Sequence, residues 1–358
     1  MMLAQDSESE ATINALPGNL LRREIRQQSS VVSEVLKAAM QCDLAGVLDR
    51  PGVMLTGRGS SGAAALYGAS VLTLFAQRPA HEVSPSLLGF YRPELDLSEY
   101  VLVAISQSGA SGEVVEAASW ARSCGAKVVA VTNHADSPLA SGLPAEQVLL
   151  MRAGEEQAVP ATKTFTASLV WLLALALAPN LQPLLSLPAW MDAWLERDYS
   201  ADIRHLAGVS TFYFVGEGVA ASVAREGALK FREMLGVAAV PLETSDLLHG
   251  SIAALDERSA VIGMAGDETG AFVLAQAREA WEARGARCLC LAAGNGHSAD
   301  EVAMADLLAP SFPVVAILQL QLVALGLAVD AGRDPDHPAG LSKITETVVP
   351  RRTLPGQD

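Results

Sequence analysis

Between Asn19 and Leu48 the apolar residues Leu21, Ile25, Val32, Val35, Leu36 and Met40 recur at helical spacing, which predicts a leading helix or helix pair. The rhythm then changes. Short, continuously apolar runs alternate with helical patterns: a strand over Val53–Thr56, an alanine-rich helix, a strand over Tyr100–Ile105, a helix over Glu113–Ser123 and a strand over Lys127–Thr132. Strands without a polar face, each followed by a helix, predict a parallel sheet covered on both sides. The series returns with strands at Thr211–Val215, Ala260–Met264 and Arg287–Leu291. The two most apolar stretches, Phe165–Ala178 and Val314–Val329, are too short or too interrupted by Gln and Gly to cross a bilayer, which takes about 20 residues. They are expected to be buried core helices.

The return is a duplication. Displaced by about 160 residues, Gly57-Arg58-Gly59 falls on Gly216-Glu217-Gly218, and Ala65, Gly68 and Ala69 fall on Ala224, Gly227 and Ala228. Downstream, Gly125 to Val131 lies over Gly285 to Leu291. The expected architecture is therefore α/β, with two tandem doubly wound parallel-sheet units. Residues 1–48 form an N-terminal helical segment, 49–190 the first unit, 191–329 the second and 330–358 a C-terminal tail. The tail is rich in Pro, Gly and charge, so it either dangles or is pinned across a site, and its removal is expected to cost little stability.

Charge narrows the partners. The chain of 358 residues has a formal net charge of -15 and no Lys/Arg run, which argues against a nucleic-acid or anionic-membrane partner. Met1–Glu10 is polar and acidic, unlike a secretory signal, and a cytoplasmic protein is expected. Of the four cysteines, Cys288 and Cys290 share a strand face and are expected to be reduced core residues.

Two turns are rich in hydroxyls: Gly57-Arg58-Gly59-Ser60-Ser61-Gly62 and Ser106-Gln107-Ser108-Gly109-Ala110-Ser111. Both join a strand to a helix. At that edge of a parallel sheet, helix N-terminal amides, glycines and serine hydroxyls can surround a phosphate. Serines and glycines also cap helices with no ligand present. The corresponding turns of the second unit carry Val219-Ala220-Ala221 and Gly266-Asp267-Glu268, whose acids would repel an anion, so one phosphate site per chain is expected.

The second unit carries chemistry of a different kind. Glu226, Lys230 and Glu233 share one face of a helix, and His249 precedes a glycine in a loop. They read either as an acid–base set or as a solvated face with a Glu–Lys pair and a surface histidine. No metal-ligand spacing occurs, so neither metal nor cofactor is expected.

With these segments assembled, the chain resembles the sugar isomerase (SIS) domain family, in particular the isomerase half of glucosamine-6-phosphate synthase and stand-alone glucosamine-6-phosphate deaminases of that type. The resemblance rests on Ile105-Ser106-Gln107-Ser108-Gly109, Ala161-Thr162-Lys163-Thr164-Phe165-Thr166, Glu226-Gly227-Ala228-Leu229-Lys230, His249-Gly250 and Asp334 to Lys343. It implies flavodoxin-like three-layer α/β/α domains. It also implies that Ser60, Ser61, Ser106, Gln107, Ser108 and Ser111 hold a sugar phosphate, with Val159 and Thr162 beside the sugar. By the same resemblance Glu233 shuttles a proton between C1 and C2, Lys230 and Glu226 support it, His249 assists ring opening and Lys343 lies beside the carbonyl carbon. His249 would reach a neighbouring subunit's site in a homodimer. Burial of Lys343 would favour a neutral, nucleophilic amine.

Departures from the family pattern are Ala161, where relatives often have Ser, Ala339, where many have Arg, and Leu248-His249-Gly250-Ser251, where a basic residue and a proline are common around His-Gly. The stretch before Val53 is too short for the synthase's glutaminase domain, so no ammonia source is expected within the chain. The expected activity is conversion of glucosamine 6-phosphate to fructose 6-phosphate and ammonia. A fructosamine-6-phosphate deglycase, an aldose–ketose isomerase, an aminotransferase with a separate glutaminase and a non-catalytic sugar-phosphate sensor are the alternatives.

Overall fold

The computed structural model describes residues 17–292 and 309–343. The expectations for Met1–Glu10 and for the tail beyond Lys343 lie outside the described residues. Two parallel sheets organise the chain. In the first, strands β1 (Gly52–Thr56), β2 (Ala80–Glu82), β3 (Tyr100–Ile105), β4 (Lys127–Thr132) and β5 (Val148–Leu150) lie in the order β2-β1-β3-β4-β5. In the second, β6 (Thr211–Gly216), β7 (Ala238–Leu242), β8 (Ser259–Ala265) and β9 (Arg287–Ala292) repeat it as β7-β6-β8-β9. This is the flavodoxin-like doubly wound order, and it confirms the tandem α/β units read from the duplication. The central strands have continuous buried runs, as sheets covered on both faces require.

Three strands carry no clear sequence signal. β2 and β5 are three-residue edges, and β7 is a half-exposed edge containing Pro241, so none offers the apolar run that marks β1, β3 and β4. The leading segment is a helix pair, Asn19–Arg26 and Gln28–Ala39, followed by one turn at Leu44–Val47. Its helical-period residues are buried except Met40, which is exposed at the end of the second helix.

Two apolar helices, Lys163–Leu177 and Phe312–Asp330, run through the shared core. The second is longer than its sequence pattern implied. The stretch Ala309–Asp330 has the length and hydropathy to cross a bilayer, but 83% of its most apolar window is buried inside the protein. It is a core helix. The burial of the cysteines needs a correction: Cys288 and Cys290, free as expected, are only half-buried because β9 is an edge strand, and Cys42 is exposed.

The tail is pinned rather than loose. Asp336 is buried, and its carboxylate accepts the amides of Gly18 (3.0 Å), Leu20 (3.2 Å) and Leu21 (2.7 Å) at the start of the Asn19–Arg26 helix. These are donors that a helix N-terminus otherwise leaves unsatisfied. The Asp336 carbonyl also accepts from Val159 N at 3.0 Å. One residue thus joins the first helix, the 155–162 loop and the tail, contacts that argue for a stability cost on removing the tail. Lost caps typically cost about 1 kcal/mol and up to about 2, so Asp336→Ala is expected to destabilise by about 1–3 kcal/mol in urea unfolding. An unchanged midpoint would show that the tail contributes nothing to the fold.

Candidate functional site

In the flavodoxin-like order, ligands bind at the switch point between the two central strands from which the chain winds in opposite directions. Here those strands are β1 and β3, and they lead into the two hydroxyl-rich turns. Gly59 (φ +54) opens the Ser60–Leu74 helix, and Gly109 (φ +60) has no room for a side chain, since a Cβ there would lie 2.1 Å from Ser137 Oγ. The turns border a cavity of about 270 Å³. Ser60, Ser61, Gln107, Ser108 and Ser111 line it at one end, and Val159, Glu233 and Lys343 line it elsewhere.

Two expected residues, Ser106 and Thr162, stand one layer back. Ser106 is buried behind its turn, with its amide bonded to Val131 O at 3.0 Å. Thr162 is fully buried and gives its N–H and hydroxyl to Glu156. Ser60 touches the cavity, but its hydroxyl donates to Glu226 Oε1 at 2.8 Å. That hydroxyl links the two units and retains only acceptor capacity for a ligand.

The acid–base face of the Ala220–Leu235 helix is not solvated. Lys230 has no exposed side-chain surface; its ammonium lies 2.6 Å from Glu233 Oε2 and 3.3 Å from Glu226 Oε1. Burial alone would strip its proton, but the two carboxylates outweigh that and hold its pKa above the ordinary value. Glu226 is also fully buried. Burial, with repulsion from Glu233, lifts its pKa from 4.5 to about 7, against the pull of Lys230 and the Ser60 hydroxyl. Among the described residues its Oε2 has no hydrogen-bond partner. Glu233 is the member that reaches the cavity, with 20% of its side chain exposed.

Lys343 reaches the cavity from the pinned tail as the sequence implied, but it meets a counter-charge. Its Nζ donates to Glu156 Oε2 at 2.6 Å and to the Ala158 carbonyl at 2.8 Å. The tail lysine is thus tied to a buried carboxylate and a carbonyl rather than standing alone at the cavity wall. Glu156 was not singled out from the sequence. Burial pushes its pKa up, but the Lys343 charge and the bonds from Lys343, Thr162 and Thr164 hold it below the ordinary carboxylate value. Its signal was present as an acid shortly before the Thr162–Thr164 start of an apolar helix, where orphan amides need an acceptor.

His249 stands apart. It is exposed at the end of the Thr244–Leu248 helix and does not border the cavity of its own chain. The equivalent turns of the second unit are filled by carboxylates: Glu217 accepts from Ser245 N at 3.2 Å, and Asp267 from Gly270 N at 2.8 Å. Asp267 thus caps the amide end of its own helix, and Glu217 places a second carboxylate at the other turn, where it would repel an anion.

A doubly wound sheet pair with a serine-lined switch point defines the class. The SIS domain model matches residues 49–178 and 205–331, and the chain belongs to that family. It is similar to glutamine–fructose-6-phosphate aminotransferase (isomerizing) of Pyrococcus horikoshii, with 30% identity over 91% of this chain and 57% of that protein. The chain thus spans little more than half of that relative. Among solved structures it is similar to a Silicibacter pomeroyi protein inferred to be a phosphosugar isomerase (28% identity, TM-score 0.78, 88% of this chain and 99% of that one). It shares the fold of glucosamine-6-phosphate deaminase from Thermotoga maritima (20% identity, TM-score 0.71, 92% and 99%).

The raised pKa of Glu226 has a definite sign in stability. Between about 4.5 and about 7 the folded protein binds a proton there that the unfolded chain has released, so this contribution is full below 4.5 and is lost as pH rises through about 7. Glu226→Gln removes it. Urea unfolding across pH 4–8 is expected to show the stability difference between mutant and wild type growing in the mutant's favour across that window. A difference that is flat with pH would contradict the assignment.

Proposed function

We propose that this chain is an enzyme of the aldose–ketose isomerase type that converts glucosamine 6-phosphate and water to fructose 6-phosphate and ammonia. The observation that carries the reading is Glu233, a carboxylate at the wall of the serine-lined cavity, held at 2.6 Å by a wholly buried lysine. With the phosphate among Ser61, Gln107, Ser108 and Ser111, the open chain of a hexose extends toward Glu233 and Lys343. Glu233 takes the C2 proton and returns it to C1. The C2–N bond becomes an imine while the aldehyde becomes an alcohol, and water then replaces nitrogen at C2 to give the ketose and ammonia. Lys230 holds Glu233 in place as a base. The Lys343 ammonium, paired with Glu156, supplies positive charge to the oxygen at C1.

The SIS family membership and the phosphosugar names of the relatives support a sugar-phosphate substrate. The aminotransferase reading, with ammonia supplied from elsewhere, is favoured by the 30% identity to the Pyrococcus horikoshii protein. A sugar-binding module without chemistry gains nothing from a buried lysine between two carboxylates, an arrangement that is costly to desolvate.

His249, exposed on its own chain, belongs in this reading to the site of a second copy, where it assists ring opening in a homodimer. The experiment is ammonia release from a panel of hexosamine and fructosamine 6-phosphates. Release from glucosamine 6-phosphate is expected. Release only from fructosamine 6-phosphates would move the assignment to a deglycase, and none from any member would sink deamination. In the same assay, Glu233→Gln and His249→Ala are each expected to be inactive, whereas mixing their subunits restores about a quarter of wild-type activity, one intact site per hybrid dimer. No recovery in verified hybrids would refute the shared site.

A further inference from the structure

Arg58 is the feature of the cavity that the proposed reaction leaves unused. It sits in the first hydroxyl-rich turn, immediately before Gly59 and Ser60, and borders the cavity with 46% of its side chain exposed. Its guanidinium does not wander. Nε donates to Glu113 Oε2 at 2.5 Å, and Nη2 pairs with the same oxygen. Glu113 is buried, with 7% of its side chain exposed, in the first turn of the Gly112–Ser123 helix that follows the second hydroxyl-rich turn. The pair therefore spans the two turns at the switch point. Among the described residues Nη1 has no partner, so the fork is anchored along one edge and retains donors along the other. Among the described residues the other cation bordering the cavity is Lys343, likewise paired with a carboxylate, Glu156. The duplicated unit offers an internal contrast, since its counterpart position holds Glu217.

Building on the phosphosugar reading, we propose that Arg58 is a specificity-determining residue that binds the phosphate group of the substrate, with Glu113 as the anchor that aims its guanidinium. A planar fork suits a phosphomonoester, whose oxygens accept two parallel N–H bonds. In a chain of net charge -15, where its own charge is balanced by Glu113, it offers the free guanidinium edge as directed N–H donors rather than as a net positive field. Glu113 is then a positioning residue. Its own negative charge, so close to the phosphate end, is tolerable because Arg58 neutralises it.

The test is calorimetric binding of glucosamine 6-phosphate and of inorganic phosphate to wild type, Arg58→Ala, Arg58→Lys and Glu113→Gln, with thermal melts confirming that each variant folds. Charged hydrogen bonds of this kind correspond to about ten- to hundredfold in affinity. Arg58→Ala is expected to lose that much for both probes. Arg58→Lys should recover part of it, and Glu113→Gln, which keeps the positive charge but loses the anchor, should lose clearly less. Equal losses in Arg58→Ala and Glu113→Gln would mean that only the cross-link between turns matters and would overturn the proposal. So would wild-type affinity in Arg58→Ala. If wild type itself bound neither probe, the phosphosugar reading would fall together with this one.

Discussion

The structure depends on one buried cation. Lys230 has no exposed side-chain surface, and an ammonium in that position is sustainable only with counter-charges in contact. Glu226 and Glu233 supply them from the same helix. Glu226 is itself buried, and one of its oxygens is satisfied by Ser60 of the other unit. The charge arrangement of the second unit is therefore complete only when the first hydroxyl-rich turn lies against it. Arg225 Nη1, which donates to both Glu82 carboxylate oxygens at 2.7 Å, holds the same helix to the edge of the first sheet. Chemistry and domain packing are two aspects of the same contacts.

The tail obeys a similar logic. A stretch this polar gains little from apolar burial, but Asp336 satisfies three amides at the start of the first helix and Lys343 meets the buried Glu156. Each end of the tail segment answers a polar group that would otherwise be buried without a partner, and such groups are expensive to leave unmet. The wall of the cavity is built from these satisfactions. The two units consequently differ where the duplication no longer matters: serines and Arg58 in one set of turns, Glu217 and Asp267 in the other.

Much of this was legible in the sequence because it follows from periodicity. The strands β1, β3, β4, β6, β8 and β9 and the two apolar helices are all long runs of one pattern, and the repeat placed them in register. The edges β2, β5 and β7 escaped because short, half-exposed strands carry no pattern of their own. At the site, the serine turns and the Glu226–Lys230–Glu233 spacing were visible, but spacing alone could not distinguish a solvated face from a buried one. That depended on which helix covers it. Glu156 and Glu113 escaped for the same reason: their roles come from partners 187 and 55 positions away. Ser60, expected as a phosphate donor, turned out to spend its proton on Glu226 because the second unit packs so closely on its turn.

The central claim is that the carboxylate of Glu233 moves a proton between adjacent carbons of a sugar phosphate. It is tested most directly by following exchange of the C2 proton of glucosamine 6-phosphate with deuterated solvent by NMR, in wild type and in Glu233→Gln, at saturating substrate. A general base of this kind contributes about 10²–10⁴-fold, so the mutant should still bind the sugar phosphate while exchange falls by that factor. Exchange at the wild-type rate in Glu233→Gln would contradict the account.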